Sequence, residues 1–582
     1  MEEYLSRILY IDLSSKRSWV EDRSELFEDR IGGLGVAVKL YSEICKLNSD
    51  PFDPENPLVF TVGPLNGLYP CISKTVAVFK SPVTGTYGES HAGGRLSMAI
   101  RMAGYGAIVI LGYSDKLLLI DIEDSKVCFR EAKSLQGLSS LEVEERLRTH
   151  TRVMESIVSI GLAGERLCFY ASANVDRYNY FGRLGLGAIL GSKNIKALRI
   201  RGSGSIKPKD AESYKKLFEK IYRRIVETDA MAKYHYTGTP ANIMVLNEIG
   251  ALPTRNFRES RFEHAEDISG ERVGELLLER KVSCPLCPIG CMHIAKLRLE
   301  FAKGYEYEPI DIYYNYESMY ALGTNLGLKK PEDILKLIYT ANFYGFDTML
   351  LGNILAWMTE AYESGLISDS DTNGLKLSWG DIDSYIEAVR RIAYGEGSLY
   401  VYAAQGLKQL VDIYGGRDYA MQIAGNGIPG YHTGYASILG FLVASRHSHN
   451  SNAGYDIDQQ ALKRKLSDEE LIDRIIEEED WRNILVSLVA CMFARRVYSP
   501  DVVVDALRTV GFEYNLDDLM NIGRDIYTDI YRIKSVEGFD PRRTYIPKRL
   551  FETPSASGIL SEERFRKLLD MYMKRRFKSS SI

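Results

Sequence analysis

Apolar and polar positions divide the chain into two regimes. Up to about residue 205, short β-branched and apolar runs alternate with glycine-bearing turns, the pattern of strands. Residues 8–13, 14–16 and 17–21 read as an opening hairpin; 58–62, 75–79, 107–111, 117–122, 156–160 and 197–201 read as further strands. From about Lys209 the period changes to i, i+3, i+4, and 211–227, 331–343, 348–364, 382–392, 398–413 and 468–478 read as helices. Pro331 with Glu332 and Asp333 puts proline in a first turn and acids at the positive end of the dipole. A glycine-rich stretch from Gly415 to Gly430 marks a boundary between two helical halves. The expected class is α+β, with a β-rich domain at 1–207 and mainly helical domains at 208–415 and 416–582. There is no internal repeat, and the basic, serine-rich tail 574–582 reads as solvated and disordered.

Composition narrows the class. The chain has 582 residues, 45% hydrophobic and 26% charged, as in an ordinary soluble globular protein of two to four domains. A net charge of −5 gives no electrostatic case for nucleic acid. The acidic start Met1-Glu-Glu lacks the apolar run of a signal peptide, and stretches such as 484–494 fall short of the ~20 residues of a membrane span. Eight cysteines in so long a chain do not form a secreted disulfide framework, so a cytoplasmic protein is expected.

Three of those cysteines stand together in Cys284-Pro-Leu-Cys287-Pro-Ile-Gly-Cys291, a C-x2-C-x3-C loop. Thiols this close cannot all pair without strain, but they can converge on a metal centre. An iron–sulfur cluster, zinc and unligated core thiols are the readings open to the spacing. A cubic cluster needs a fourth thiolate, and the singletons Cys45, Cys71, Cys128, Cys168 and Cys491 read as buried hydrophobes that do not say which supplies it.

Glycine clusters at 32–35, 85–94 and 182–187 suit either tight turns or close backbone approach to a polyanion, and none is a dinucleotide fingerprint. His91, Arg95 and Arg183 within two of them favour the polyanion. Glu317 stands among tyrosines, so burial would raise its pKa, although a helix-start carboxylate has the same surroundings. Ser445-Arg-His447-Ser-His449-Asn-Ser-Asn452 carries two histidines suited to proton transfer or to fixing a turn.

These pieces, with Val62-Gly-Pro-Leu-Asn-Gly67, Lys80-Ser-Pro-Val-Thr-Gly-Thr86, Ala103-Gly-Tyr-Gly106 and Gly187-Ala-Ile-Leu-Gly-Ser-Lys-Asn194, resemble the aldehyde:ferredoxin oxidoreductase family. The resemblance runs through nearly the whole chain. It implies a β-rich domain cradling a tungsten (or molybdenum) bis-pyranopterin, a Mg²⁺ bridging the two pterin phosphates, and a 4Fe-4S cluster. By resemblance the cluster ligands are Cys284, Cys287, Cys291 and Cys491, and Lys74 bridges cluster and pterin. The phosphate region falls on His91, Ala92, Gly93, Gly94 and Arg95 and on Gly182, Arg183 and Gly185.

The family's two D-x-x-G-L-C/D pterin motifs read here as Asn342-Phe-Tyr-Gly345-Phe346-Asp347 and Val486-Ser-Leu-Val-Ala-Cys491. The first has lost its charge; the second offers no side-chain acceptor at its head. The E-x-x-H iron site of some members reads Lys336-Leu-Ile-Tyr339, so that homodimer is not implied. The family's active-site glutamate matches Glu317, with Tyr316 beside it, and its histidine matches His447 or His449. The implied activity is oxidation of a small aldehyde to its acid, with electrons leaving through the cluster to ferredoxin or a small polyferredoxin-like iron–sulfur subunit. A low-potential reductase of an aromatic thioester or acid on the same scaffold is the alternative, and an iron–sulfur scaffold without pterin is a third reading.

Overall fold

The computed structural model describes residues 5–149, 153–300 and 306–577. Met1-Glu-Glu and the tail from residue 578 lie outside the described residues, while Lys574, Arg575 and Arg576 end the helix Glu562–Arg576. The class is α+β, with two six-stranded sheets formed from the first 202 residues and helices predominating afterwards.

The first sheet has the order Arg17–Asp22, Arg7–Asp12, Ala107–Leu111, Leu58–Thr61, Thr75–Lys80, Tyr87–Ala92. The second runs Asn179–Phe181, Ala173–Val175, Met154–Ser159, Ile195–Gly202, Leu118–Glu123, Lys126–Glu131. Each is antiparallel apart from one parallel pair, Arg7–Asp12 with Ala107–Leu111 and Ile195–Gly202 with Leu118–Glu123. The expected strands are all present within two residues of their predicted ends. Tyr87–Ala92, read in sequence as part of a glycine cluster, is also a strand, paired to Thr75–Lys80 with Thr75 opposite Ala92. Its composition shows no period-2 alternation; the ladder to its neighbour sets its conformation.

Strands interrupt the helical regime twice among the described residues, once as the short pair Gln422–Ile423 with Asn426–Gly427 and once as a larger sheet. Leu278–Val282, Met292–Glu300 and Tyr307–Tyr314 form a three-stranded antiparallel sheet, with Val282 opposite Met292 and His293 opposite Tyr314. The C-x2-C-x3-C sequence is the loop between its first two strands.

The predicted helices are present as Ala211–Val226, Pro331–Tyr344, Thr348–Glu363, Ile382–Tyr394 and Asp468–Ser487. The span read as one helix at 398–413 is two, Ser398–Ala404 and Leu407–Tyr414, broken where Gly406 takes φ 104°. The glycines at 32–35 serve packing. A Cβ on Gly33 would lie 2.5 Å from the Val486 carbonyl oxygen, so its absence lets the helix Gly33–Ile44 meet the segment leading to Cys491.

Two large apolar clusters form the core. One joins both six-stranded sheets to Ile484, Leu485, Leu488 and Val489 and to the helices Pro500–Arg508 and Leu516–Val536. The other surrounds Thr348–Glu363, with Leu350, Ile354, Leu355 and Trp357 fully buried. Each such aliphatic side chain contributes about 1.5–3 kcal/mol. The return of residues 484–491 to the N-terminal sheets is what completes the site. Among the described residues, no helix is long and apolar enough to cross a membrane.

Candidate active site

The cysteine loop is held at both ends by strands and shaped by Leu286 and Gly290, both at positive φ (56° and 59°). Inside it the Cys287 N–H donates to the Cys284 carbonyl at 3.1 Å. Cys491 arrives from the far side of the sequence on a backbone rung. Its N–H donates to the Cys71 carbonyl at 2.9 Å, Ala490 bridges to Ile72, and the Lys74 N–H donates to the Val489 carbonyl at 3.0 Å.

Lys74 is the cation this arrangement encloses. Burial pulls its ammonium down, but the sulfurs of Cys491, Cys284, Cys291 and Cys287 more than offset that and hold it above the ordinary lysine value. Gly93 fits between them: a Cβ there would lie 2.9 Å from the Cys284 sulfur, 3.1 Å from Lys74 Nζ and 2.5 Å from Asn179 Oδ1. The Gly94 N–H donates to the Cys284 sulfur at 3.3 Å. Among the described residues, no three His, Cys, Asp or Glu side chains close around a single ion. Four thiols beside a buried cation and a backbone donor are a donor set common to iron–sulfur clusters and structural zinc.

One cysteine at this site was not singled out in the sequence. Cys71, fully buried at φ 62°, places its sulfur 3.5 Å from that of Cys287 and draws Cys287 below the ordinary thiol range. Its proximity to Lys74 in sequence was the available signal.

Next to the cysteines lies a cavity of about 350 Å³. Lys74, His91, Gly93, Gly182, Arg183, Asn342, Phe346 and Asp347 line it on one side, and Glu317 and His449 on another. Arg183 Nη2 donates to Asn426 Oδ1 at 2.8 Å and Nε stands 3.5 Å from Asp347 Oδ2, leaving Nη1 buried without a partner. Burial pushes the Asp347 carboxyl up against the pull of Arg183. Beside them Glu89, 2% exposed, meets His91 Nε2 at 3.3 Å and Arg446 Nε at 3.4 Å, and burial pushes His91 down to about 4. Glycine-lined backbone, His91 and a guanidinium with one unsatisfied nitrogen are groups of the kind that bind phosphate.

Ala92, Gly185 and Gly345 do not line the cavity. Ala92 ends the strand Tyr87–Ala92. Gly185 (φ 89°) opens the helix Leu186–Ser192, where a Cβ would lie 2.1 Å from the Phe169 carbonyl oxygen. Gly345 (φ 86°) closes the helix Pro331–Tyr344. Gly94 and Arg95 border a separate open cleft of about 820 Å³ that reaches Cys284. The Arg95 N–H is tied to Asp176 Oδ2 at 2.9 Å.

Glu317 sits in the first turn of the helix Tyr316–Ala321, whose N-cap Asn315 forms a reciprocal capping box with Ser318. Its Oε1 lies 3.4 Å from His449 Nε2 and accepts from the Tyr431 hydroxyl at 3.3 Å. The expectation of a raised pKa is corrected here. Burial pushes the carboxyl up, but His449 and Tyr431 pull it below the ordinary value. Burial outweighs the carboxylate at His449 and holds that imidazole below its own. The pair is therefore carboxylate with neutral imidazole.

The geometry separates the two histidines that the sequence left open. His447 (φ 47°) points elsewhere, with Nδ1 3.2 Å from the Phe441 carbonyl oxygen and Nε2 3.0 Å from Lys534 Nζ. It borders a different cavity, lined also by Glu537 and Phe539. Tyr316 does not line the main cavity either; its hydroxyl donates to the Gly430 carbonyl and its ring packs 5.1 Å from Tyr431. Tyr431, absent from the sequence-based set, takes the place beside Glu317.

The chain matches known proteins along most of its length. Residues 8–202 match the model of the aldehyde ferredoxin oxidoreductase N-terminal domain, and 216–576 match that of domains 2 and 3. A tungsten-containing aldehyde ferredoxin oxidoreductase of Thermococcus kodakarensis is 30% identical over 571 residues, covering 95% of this chain and 92% of that one. The WOR-like subunit of an aliphatic sulfonate oxidoreductase of Pyrococcus furiosus is 28% identical over 416 residues, 68% of this chain and 65% of its own. In fold, the chain is similar to the active-site complex of a benzoyl coenzyme A reductase with 1,5-dienoyl-CoA, at a TM-score of 0.83 and 19% identity, covering 98% of this chain and 94% of that one. Two domain models in order along the chain, and relatives matched over nearly their full length, place it by descent: it belongs to the aldehyde ferredoxin oxidoreductase family.

Proposed function

We propose that this chain is a tungsten-dependent oxidoreductase that converts an aldehyde and water to a carboxylic acid, releasing two electrons and two protons. The observation that carries the reading is the Glu317–His449 pair at 3.4 Å, facing a cavity that also holds Lys74, Arg183 and His91. His91, Gly93, Gly182, Arg183, Asn342 and Asp347 would hold a bis-pyranopterin, with Mg²⁺ between its phosphates. Cys284, Cys287, Cys291 and Cys491 would hold a 4Fe-4S cluster with Lys74 between the two groups. The bound metal supplies Lewis acidity and a two-electron sink.

The protein's own part is proton handling. Glu317, held ionised, takes a proton from the water that adds to the carbonyl carbon. Neutral His449 keeps Oε1 in place, and the Tyr431 hydroxyl fixes the same oxygen from another direction. A cluster at Cys284, Cys287, Cys291 and Cys491 would supply a one-electron exit, and the open cleft at Cys284 would give ferredoxin or a small iron–sulfur subunit an approach. Elemental analysis and dye-linked assay of the purified protein test this. Tungsten or molybdenum with iron, and aldehyde-dependent viologen reduction, are expected; iron alone would overturn the pterin assignment.

A second reading is favoured by Asn342 and Val486, where the two pterin motifs have lost their acids. The same cavity would then run as a low-potential reductase of an aromatic thioester or acid. Assay with viologens in both directions separates the two.

A further inference from the structure

The two edges of the first sheet differ in character. Tyr87–Ala92, at one end of the strand order, lends Glu89, Ser90 and His91 to the main cavity. Arg17–Asp22, at the other end, is exposed at every position, although it carries Trp19 and Val20. Among the described residues no strand pairs with its outer side. Proline, glycine and bulges, which commonly blunt an edge, are all missing from its sequence and its pairing to Arg7–Asp12.

The backbone phase fixes which groups are free. The Arg23 N–H, one residue past the strand, donates inward to the Ser6 carbonyl at 2.9 Å. Peptide groups alternate sides along a strand, so those of Arg17, Trp19 and Glu21 also point to Arg7–Asp12. Those of Ser18, Val20 and Asp22 point outward.

A two-fold axis perpendicular to the sheet would set this edge against its own copy. Opposed residues in a ladder share a face, so such an axis must pass through a residue and not between two. Centred on Trp19, it sets Trp19 opposite Trp19 and Arg17 opposite Glu21, twice by symmetry. Ser18 and Val20 then exchange the hydrogen bonds, and Arg17, Trp19 and Glu21 take the positions where side chains approach most closely. All three lie on the face of Tyr10, whose ring stacks on Trp19 at 5.2 Å with 7° between the planes. Trp19 Nε1 also donates to Glu21 Oε1 at 2.8 Å, which holds that carboxylate on the same face. Centred on Val20, the register would set Arg17 against Arg23 and lose both ion pairs. Charges that only guarded the edge would need no such symmetry.

We propose that Arg17–Asp22 is a self-pairing edge, through which two copies of this chain join their six-stranded sheets in one antiparallel ladder. The seam lies at the opposite edge from His91, so the cofactor cavity stays free of it. A single strand pair belongs with small, transient interfaces, so the association is reversible and depends on concentration. It is independent of the reaction assigned above.

Sedimentation equilibrium of the full chain over about 1–100 µM provides the test. A monomer–dimer equilibrium is expected. Arg17→Glu or Glu21→Arg alone puts like charges opposite each other at two symmetric places and should weaken dimerisation by about tenfold or more. The double variant Arg17→Glu with Glu21→Arg restores both pairs and should restore the dimer. Val20→Pro removes an outward N–H that the folded chain does not use, and should abolish the dimer with circular dichroism unchanged. A chain that is monomeric throughout, a dimer indifferent to Val20→Pro, or charge reversals that the double variant does not rescue would overturn the proposal.

Discussion

Nε2 of His449 and Oε1 of Glu317 stand 3.4 Å apart, one from a turn and the other from a helix start, with Tyr431 closing on the same carboxylate. Replacing Glu317 with Gln keeps the shape and removes the base. Aldehyde oxidation should fall by about 10²–10⁴-fold with tungsten and iron content unchanged, measured as kcat with a viologen acceptor. Full activity in Glu317→Gln would remove this residue from the mechanism.

The same pair sets a pH dependence. Glu317 is held below its ordinary 4.5, so acidification does not protonate it until below that value, and kcat/KM should show no acidic limb from Glu317 above it. In His449→Gln the partner that lowers Glu317 is gone while burial, which raises it, persists. The acidic limb should then move up in pH. A limb that stays in place would mean that His449 does not tune the carboxyl.

Loss of Cys491 should abolish the cluster although the C-x2-C-x3-C hairpin is untouched. Iron content and the reduced-state EPR signal of Cys491→Ala should both fall sharply. Gly93→Ala should act at the same site by steric means, because its Cβ would press on the Cys284 sulfur at 2.9 Å and on Lys74 Nζ at 3.1 Å. A displaced midpoint potential or reduced iron occupancy is expected, and an unaltered EPR titration would argue against a cluster at this position.

Lys80 Nζ and Glu537 Oε1 meet at 2.5 Å with each side chain 1% exposed, tying the first sheet to the end of the helix Leu516–Val536. Glu537→Gln leaves a buried ammonium without its counter-charge and should destabilise the fold by about 3–5 kcal/mol. The double variant Lys80→Met with Glu537→Leu should recover most of that. Denaturant or thermal unfolding of the three proteins gives the comparison.

Local pattern carried much of the fold. Strands such as Ala107–Leu111 and helices such as Thr348–Glu363 follow from periods of 2 and 3.6, and proline and acids at Pro331 mark a helix start. What pattern could not show was set by partners distant in sequence. Tyr87–Ala92 is a strand because Thr75–Lys80 lies beside it, and the hairpin under the cysteines sits in a region otherwise helical. At the site, spacing singled out three thiols, whereas the approach of Cys491 to Lys74 depends on pairing across more than four hundred residues. His447 and His449 differ only in where a turn aims them, and that information is three-dimensional. Tyr431 fell outside every motif, and Cys71, though close to Lys74 in sequence, is distinguished from the other single cysteines only by its position 3.5 Å from the Cys287 sulfur.

The rung between Cys71–Lys74 and Val489–Cys491 also sets a schedule for biosynthesis. A nascent chain still short of residue 491 presents three thiols on a hairpin and a lysine with no sulfur at its far side. The four thiols come together only after the ribosome has passed that point and residues 484–491 have folded back onto the first sheet. A cluster held by all four thiols would therefore have to be inserted after residue 491 has emerged and paired with the first sheet.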